Sequence, residues 1–229
     1  MKLKTFALLA TFAFASPCLH AQTVNFLTDY SKLTDGSGTG FTKVYIAPGA
    51  FDKVGSLTSL MVDQPEIFID PDSKYKGVKP ADAMAVAEML RAALISGIGN
   101  SIDVVDEPGD STGLINWAVT NIRINKKKRG LLGYTPVGAV AYGVKTQMTD
   151  IVDKTQAFDV VFELEGSDIE TGDVYFAMVF DFKAEGVKAV WQNALELAEG
   201  LGERVGCRVK NASLADNNRQ DCMAIPLDN

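Results

Sequence analysis

Histidine is almost missing from this sequence. His20 is the only one in 229 residues, and it stands near the N-terminus. Residues 1–21 read MKLKTFALLATFAFASPCLHA. Lys2 and Lys4 precede an apolar run from Thr5 to Ala15, and the small residue Ala21 stands before Gln22. That is the pattern of an export leader, and its apolar run is too short to span a bilayer. Cleavage after Ala21 is expected, and the mature chain then has no histidine. Ser–His–Asp and Cys–His catalysis are thereby excluded, as are His-ligated zinc, copper and iron sites.

Cysteine is scarce too. Of three, Cys18 lies in the leader, where Pro17 before it is a poor fit to a lipidation signal. The expected place is therefore the periplasm, with an outer-membrane lipoprotein anchored through Cys18 as the alternative. Cys207 and Cys222 remain. An even pair in an oxidising compartment favours a disulfide, here closing CRVKNASLADNNRQDC and stabilising by about 3 kcal/mol. Two thiolates are too few for a metal cluster, so no metal and no cofactor are expected. Basic charge is also short. Losing Lys2 and Lys4 takes the formal charge from −7 to −9. Such a chain repels nucleic acid and anionic membrane surfaces, so no nucleic-acid partner is expected.

What is present is apolar periodicity. Residues 22–56 are polar and Gly-rich and read as an extended N-terminal arm. An α/β domain is expected over 57–206, followed by a disulfide-closed tail over 207–229. Leu57 to Phe68 reads as a strand. PADAMAVAEMLRAALISGIG reads as a helix opened by Pro80, with Ala83, Val86, Leu90, Leu94 and Ile98 on one face. SIDVVDE and LINWAVTNIRIN read as strands. KAEGVKAVWQNALELAEGLGERVG reads as an amphipathic helix with Val187, Trp191, Leu197, Leu201 and Val205 in one stripe. The expected fold is α/β (α+β): a single mixed sheet of about five strands with two helices on one face, in the order β-α-β-β-β-β-α.

The acids concentrate in FDVVFELEGSDIETGDVYFAMVFDF, residues 158–182. Val160, Phe162 and Leu164 alternate with Val161, Glu163 and Glu165. Val174, Phe176, Met178 and Phe180 alternate with Tyr175, Ala177, Val179 and Asp181. Period two on both arms, joined by GSDIETGD, predicts a hairpin with its acids on the solvent face and at the tip. Several motif matches fail on context. Gly109-Asp110-Ser111-Thr112-Gly113 is followed by a strand and has no histidine to serve as base. Ser73-Lys74-Tyr75-Lys76 lies in a turn, and Asp70-Pro71-Asp72 lacks the ligands of a calcium loop. GSGTG at 36–40 opens no helix. Lys126 to Arg129 reads as a solvated strand end.

FLTDYSKL, MVDQPEIF, VVDEPGDSTGLINWAVTNIRIN and FELEGSDIETGDVYFA occur in this order. Together they resemble the DUF3313 family of exported bacterial proteins assigned as lipoproteins, from Phe26 to about Cys207. The most specific pieces are FLTDYSKL and the acidic strand that leads into Asp168-Ile169-Glu170-Thr171-Gly172. The resemblance implies export and brings no reaction with it, so no catalytic residue carries over. The element order is also similar to small α/β domains of envelope assembly lipoproteins, which act by binding.

Two functions are weighed. The first is a non-enzymatic envelope protein that binds an unidentified protein or lipid, with homo-oligomerisation a further option. Its candidate contact is the apolar segment holding Leu131, Leu132, Tyr134, Val137, Val140 and Tyr142. The second is a hydrolase of cell-wall glycans using Glu163 with Glu165 or Asp181 as its carboxylate pair.

Overall fold

The computed structural model describes residues 26–74, 76–126, 155–158, 160–182 and 191–225. Their elements are β1 (Thr34–Asp35), β2 (Lys43–Ile46), α1 (Ala50–Gly55), β3 (Ser59–Val62), β4 (Glu66–Ile69) and α2 (Pro80–Gly99). Then come β5 (Asp103–Val104), β6 (Thr112–Lys126), β7 (Thr155–Phe158), β8 (Val160–Asp168), β9 (Val174–Phe182) and α3 (Trp191–Ala212). One mixed sheet runs β1-β2-β9-β8-β6-β3-β5, with β4 and β7 also paired to β6.

The class is the expected one, but among the described residues the strands number nine where about five were expected. Two features account for three of the four additional strands, the fourth being β7. The stretch from Leu57 to Phe68 breaks at Asp63-Gln64-Pro65, because Pro65 has no N–H for the ladder. Its halves, β3 and β4, both pair parallel with successive parts of β6. The Gly-rich stretch before Ala50 turns through Gly38 and Gly40 at φ 79° and 75°. That turn lets β1 pair antiparallel with β2, and β2 with β9.

β6 is the spine. Between Ile67 and Ile69 of β4 it advances from Val119 to Ile122, one residue more than its partner. The extra residue is a bulge, and Asn121 takes the left-handed conformation there at φ 55°. Beyond the bulge β6 pairs with β7.

The core lies on one face. Phe162 and Leu164 stand beside Val119 and Trp117 of β6 and Phe180 and Met178 of β9. Trp117 and Phe162 stack with centroids 6.4 Å apart. Leu90, Leu94 and Ile98 of α2 and Leu197, Leu201 and Val205 of α3 close over them, all buried. A third helix, α1, adds Ala50 and Val54 to the same cluster. The two long helices approach through glycine: a Cβ on Gly97 would lie 2.0 Å from the Glu199 carbonyl oxygen, and one on Gly202 2.2 Å from that of Leu94.

α3 continues past Gly206 to Ala212, so Cys207 is a helix residue. Cys207 and Cys222 form the expected disulfide, Cα atoms 5.8 Å apart, and it returns the tail onto α3. Arg204, only 7% exposed, donates to the Ile225 carbonyl at 2.6 and 2.9 Å and to that of Gly40 at 3.3 Å.

Candidate functional site

The far face of the sheet carries the second set of alternating residues. Glu163 and Glu165 of β8 lie there between Ala118 and Asn116 of β6 and Val179 and Ala177 of β9. The sequence places these acids in solvent, and that expectation is wrong. Glu163 is 6% exposed and Glu165 8%. Strand alternation reports which face a residue occupies, not whether a distant segment covers that face.

The cover is FLTDYSKL. Asp29 caps the single turn Tyr30–Lys32 by accepting from the Ser31 N–H at 2.9 Å and the Ser31 hydroxyl at 2.6 Å. That turn aims Thr28 and Tyr30 at the sheet. Thr28 donates its N–H to Glu165 Oε2 at 3.0 Å and its hydroxyl to Oε1 at 2.7 Å. The Tyr30 hydroxyl accepts from the N–H groups of Phe26 at 2.8 Å and Leu27 at 3.2 Å. It also donates to Glu163 Oε2. Thr120 supplies Oε1 of Glu163 at 3.0 Å. Leu27 is buried, and the Lys32 ammonium lies 5.5 Å from the Tyr45 ring.

A buried carboxylate costs several kcal/mol unless its oxygens are satisfied. Here hydroxyls and a backbone N–H supply that satisfaction. No salt bridge reaches Glu163 or Glu165 among the described residues. Burial, and then the bond to Glu163, push the Tyr30 phenol up to about 12.

The hairpin tip forms a second, exposed set of contacts. Asp168 Oδ1 accepts from the N–H groups of Glu170 and Thr171, each at 2.9 Å, and the Tyr175 hydroxyl donates to Oδ2 at 2.6 Å. The Tyr175 hydroxyl first, then those N–H groups, hold Asp168 down at about 2. Tyr175 is pushed up to about 12 by burial and then by Asp168. Gly172 completes the turn at φ 74°.

A cleft of about 240 Å³ opens beside Glu165. Phe26, Thr28, Gln64, Glu66, Asn116 and Glu165 line it. Its end is set by the β3–β4 turn, where Trp117 Nε1 donates to the Asp63 carbonyl at 3.0 Å. Sequence reasoning misses both the cover and the cleft. The available signal is two glutamates inside an apolar strand and a hydroxyl-rich FLTDYSKL with no other evident partner.

Of the acids proposed as a catalytic pair, Glu163 and Glu165 are brought together under the cover. Asp181 stands opposite Val161, beyond the Glu163–Val179 pair. The residues Leu131, Leu132, Tyr134, Val137, Val140 and Tyr142 lie outside the described residues. Gly109 to Gly113 forms a turn into β6, where Thr112 Oγ1 accepts from the Gly109 N–H at 2.9 Å.

No helix among the described residues is long and apolar enough to cross a membrane. Comparison with curated proteins finds no match. Among solved structures, a chain of a PelC variant dodecamer from Paraburkholderia phytofirmans is similar at 14% identity, over 73% of this chain and 94% of that chain. Its TM-score of 0.30 carries no argument about fold or assembly. The model of the family described as "Protein of unknown function (DUF3313)" matches residues 22–203. That span takes in the Thr28–Tyr30 cover, the β3–β4 turn, both glutamates and most of α3, and the chain belongs to the DUF3313 family.

Proposed function

We propose that the chain is an exported, non-enzymatic binding module of the cell envelope. One observation carries this reading. Glu163 and Glu165, the acids a glycan hydrolase would use, are engaged in holding the N-terminal segment. A hydrolase needs one carboxyl free to protonate a leaving oxygen and a second facing the sugar or its water. Acids already bound to Thr28, Tyr30 and Thr120 would first have to lose their cover.

Export rests on the leader pattern at residues 1–21. The proposed location is the periplasm, and the proposed partner contact outside the cleft is the apolar segment 131–144, directed at an envelope protein or lipid. Cell fractionation with N-terminal mass spectrometry tests export, the expected start being Gln22. The Glu163→Gln/Glu165→Gln variant, expressed at matched level, tests the chemistry. Cell-wall glycan turnover is expected to be unchanged, and its loss would revive the hydrolase.

A further inference from the structure

The disulfide-closed tail grips the turn that leads to the N-terminal cover. Up to Gln220 the tail is fixed to α3 by Asn211, whose side chain donates to the Gln220 carbonyl at 2.8 Å and accepts from its N–H at 2.9 Å. Past Gln220 it is fixed by Cys222 to Cys207 and by the Ile225 carbonyl to Arg204. The Met223 sulfur lies 3.6 Å from the Arg208 guanidinium.

The same two arginines reach the N-terminal arm. Arg204 donates to the Gly40 carbonyl at 3.3 Å. Arg208 donates to that of Thr39 and lies 4.7 Å from the centre of the Phe41 ring. Gly40, at φ 75°, fits between tail and helix: a Cβ there would lie 2.1 Å from Arg204 Nη1 and 2.9 Å from Met223 Cε. Within the turn, the Gly36 N–H donates to the Thr42 carbonyl at 3.1 Å and the Thr39 N–H to that of Gly36 at 2.8 Å. β1 runs into this turn, and Leu33 alone separates β1 from the Tyr30–Lys32 turn of the cover. With the Gly36–Thr42 turn ordered, the cover is tethered closely to β2. With that turn loose, a longer flexible tether must be closed each time the cover docks, at an entropic cost.

We propose that Cys207 and Cys222 form a redox-dependent latch: their oxidation seats Met223 and Ile225 on Arg208 and Arg204, orders the Gly36–Thr42 turn and thereby secures the cover over Glu163 and Glu165. Closure is thiol–disulfide exchange with a small disulfide oxidant. The two thiols are oxidised, one S–S bond forms, the oxidant's S–S bond breaks, and two protons and two electrons leave on its two thiols. Both half-cystines are buried, Cys207 3% exposed and Cys222 6%. A thiolate reaches them only when the tail lifts, so the latch, once closed, resists reopening. The latch is independent of the binding-module reading. That it closes after the chain leaves a reducing compartment rests on the leader.

The test is native-state amide exchange, followed by NMR, on the full chain from Gln22. Three forms are compared: the parent oxidised with glutathione disulfide, Cys207→Ser/Cys222→Ser, and Met223→Ala, which keeps the disulfide and removes the side chain packed on Gly40. In the double serine variant, protection at Gly36 and Thr39 should fall about tenfold, the equivalent of one lost hydrogen bond from a charged donor. Protection at Thr28 should fall by a smaller factor, while β8, β9 and α2 stay as in the parent. Met223→Ala should move Gly36 and Thr39 in the same direction by less. Unchanged protection of the turn in the serine variant overturns the proposal. Loss spread evenly over β8, β9 and α2 also overturns it, because the disulfide is then a staple of the whole fold. A loosened turn with Thr28 unmoved overturns its reach to the cover, and a parent-like Met223→Ala overturns the route through Gly40. If the leader is not cleaved but the turn and cover respond as stated, the export reading fails and the latch stands.

Discussion

Thr28 grips Glu165 with two hydrogen bonds, one from its backbone and one from its side chain, across 137 residues of sequence. That contact gives an acid in the middle of a buried strand its reason. It also ties the N-terminal segment to the centre of the sheet.

Thr28→Val keeps the shape and the backbone donor but removes the hydroxyl. A carboxylate oxygen at a site only 8% exposed then loses a partner. The expected loss is about 1–3 kcal/mol, read from the urea midpoint with the slope unchanged. A midpoint equal to the parent's would mean that the hydroxyl contributes nothing there.

Alkali should act on the same cover through Tyr30. Its phenol sits at about 12 in the fold against an ordinary 10. The neutral form is therefore the one the fold favours. The stability it supplies is complete below about pH 10 and is lost as pH rises from there through about 12. Phenolate absorbance should show Tyr30 and Tyr175 ionising near pH 12. Tyr30→Phe should remove one late titration and weaken the fold mainly below pH 10.

Asp168 runs the other way. Its carboxyl lies near 2 in the fold against 3.8, chiefly because Tyr175 donates to it. What it contributes is present above about pH 3.8 and lost as pH falls toward about 2. Side-chain carboxyl NMR in Tyr175→Phe should show Asp168 titrating closer to 3.8. A titration unmoved by that substitution would assign the depression to the turn N–H groups alone.

The packing of α2 on α3 gives a paired prediction. A Cβ on Gly202 meets the Leu94 backbone at 2.2 Å, whereas one on Gly99 meets nothing within 4 Å. Gly202→Ala should cost about 1–3 kcal/mol in thermal or urea unfolding, because two helix backbones must separate. Gly99→Ala should be neutral or stabilising by up to about 1 kcal/mol, the gain in helix propensity. Equal effects at the two positions would contradict the close approach.

Local order reads directly from this chain. Pro80 to Gly99 folds as the helix its periodicity predicts, and the two arms around Asp168 form the predicted hairpin. Cysteine parity points to the Cys207–Cys222 bond. What fails is long-range. Nothing local in FELEG says that Thr28 and Tyr30 will lie over it, so Glu163 and Glu165 look solvated. Nothing local in TDGSGTGFTKVYI says that a four-residue strand will add to the edge of β9. The cleft escapes for the same reason, since its walls come from four separate parts of the chain.

Amide hydrogen exchange on Glu163→Gln/Glu165→Gln tests the central claim most directly, namely that these acids anchor the N-terminal segment. The amide of Thr28 bonds to Glu165, and those of Phe26 and Leu27 bond to the Tyr30 hydroxyl that Glu163 holds. Protection at 26–28 should fall well below the parent's while β8 and β9 stay protected and cell-wall glycan turnover stays unchanged. Unchanged protection at 26–28, with turnover lost, would contradict the account and return the two acids to catalysis.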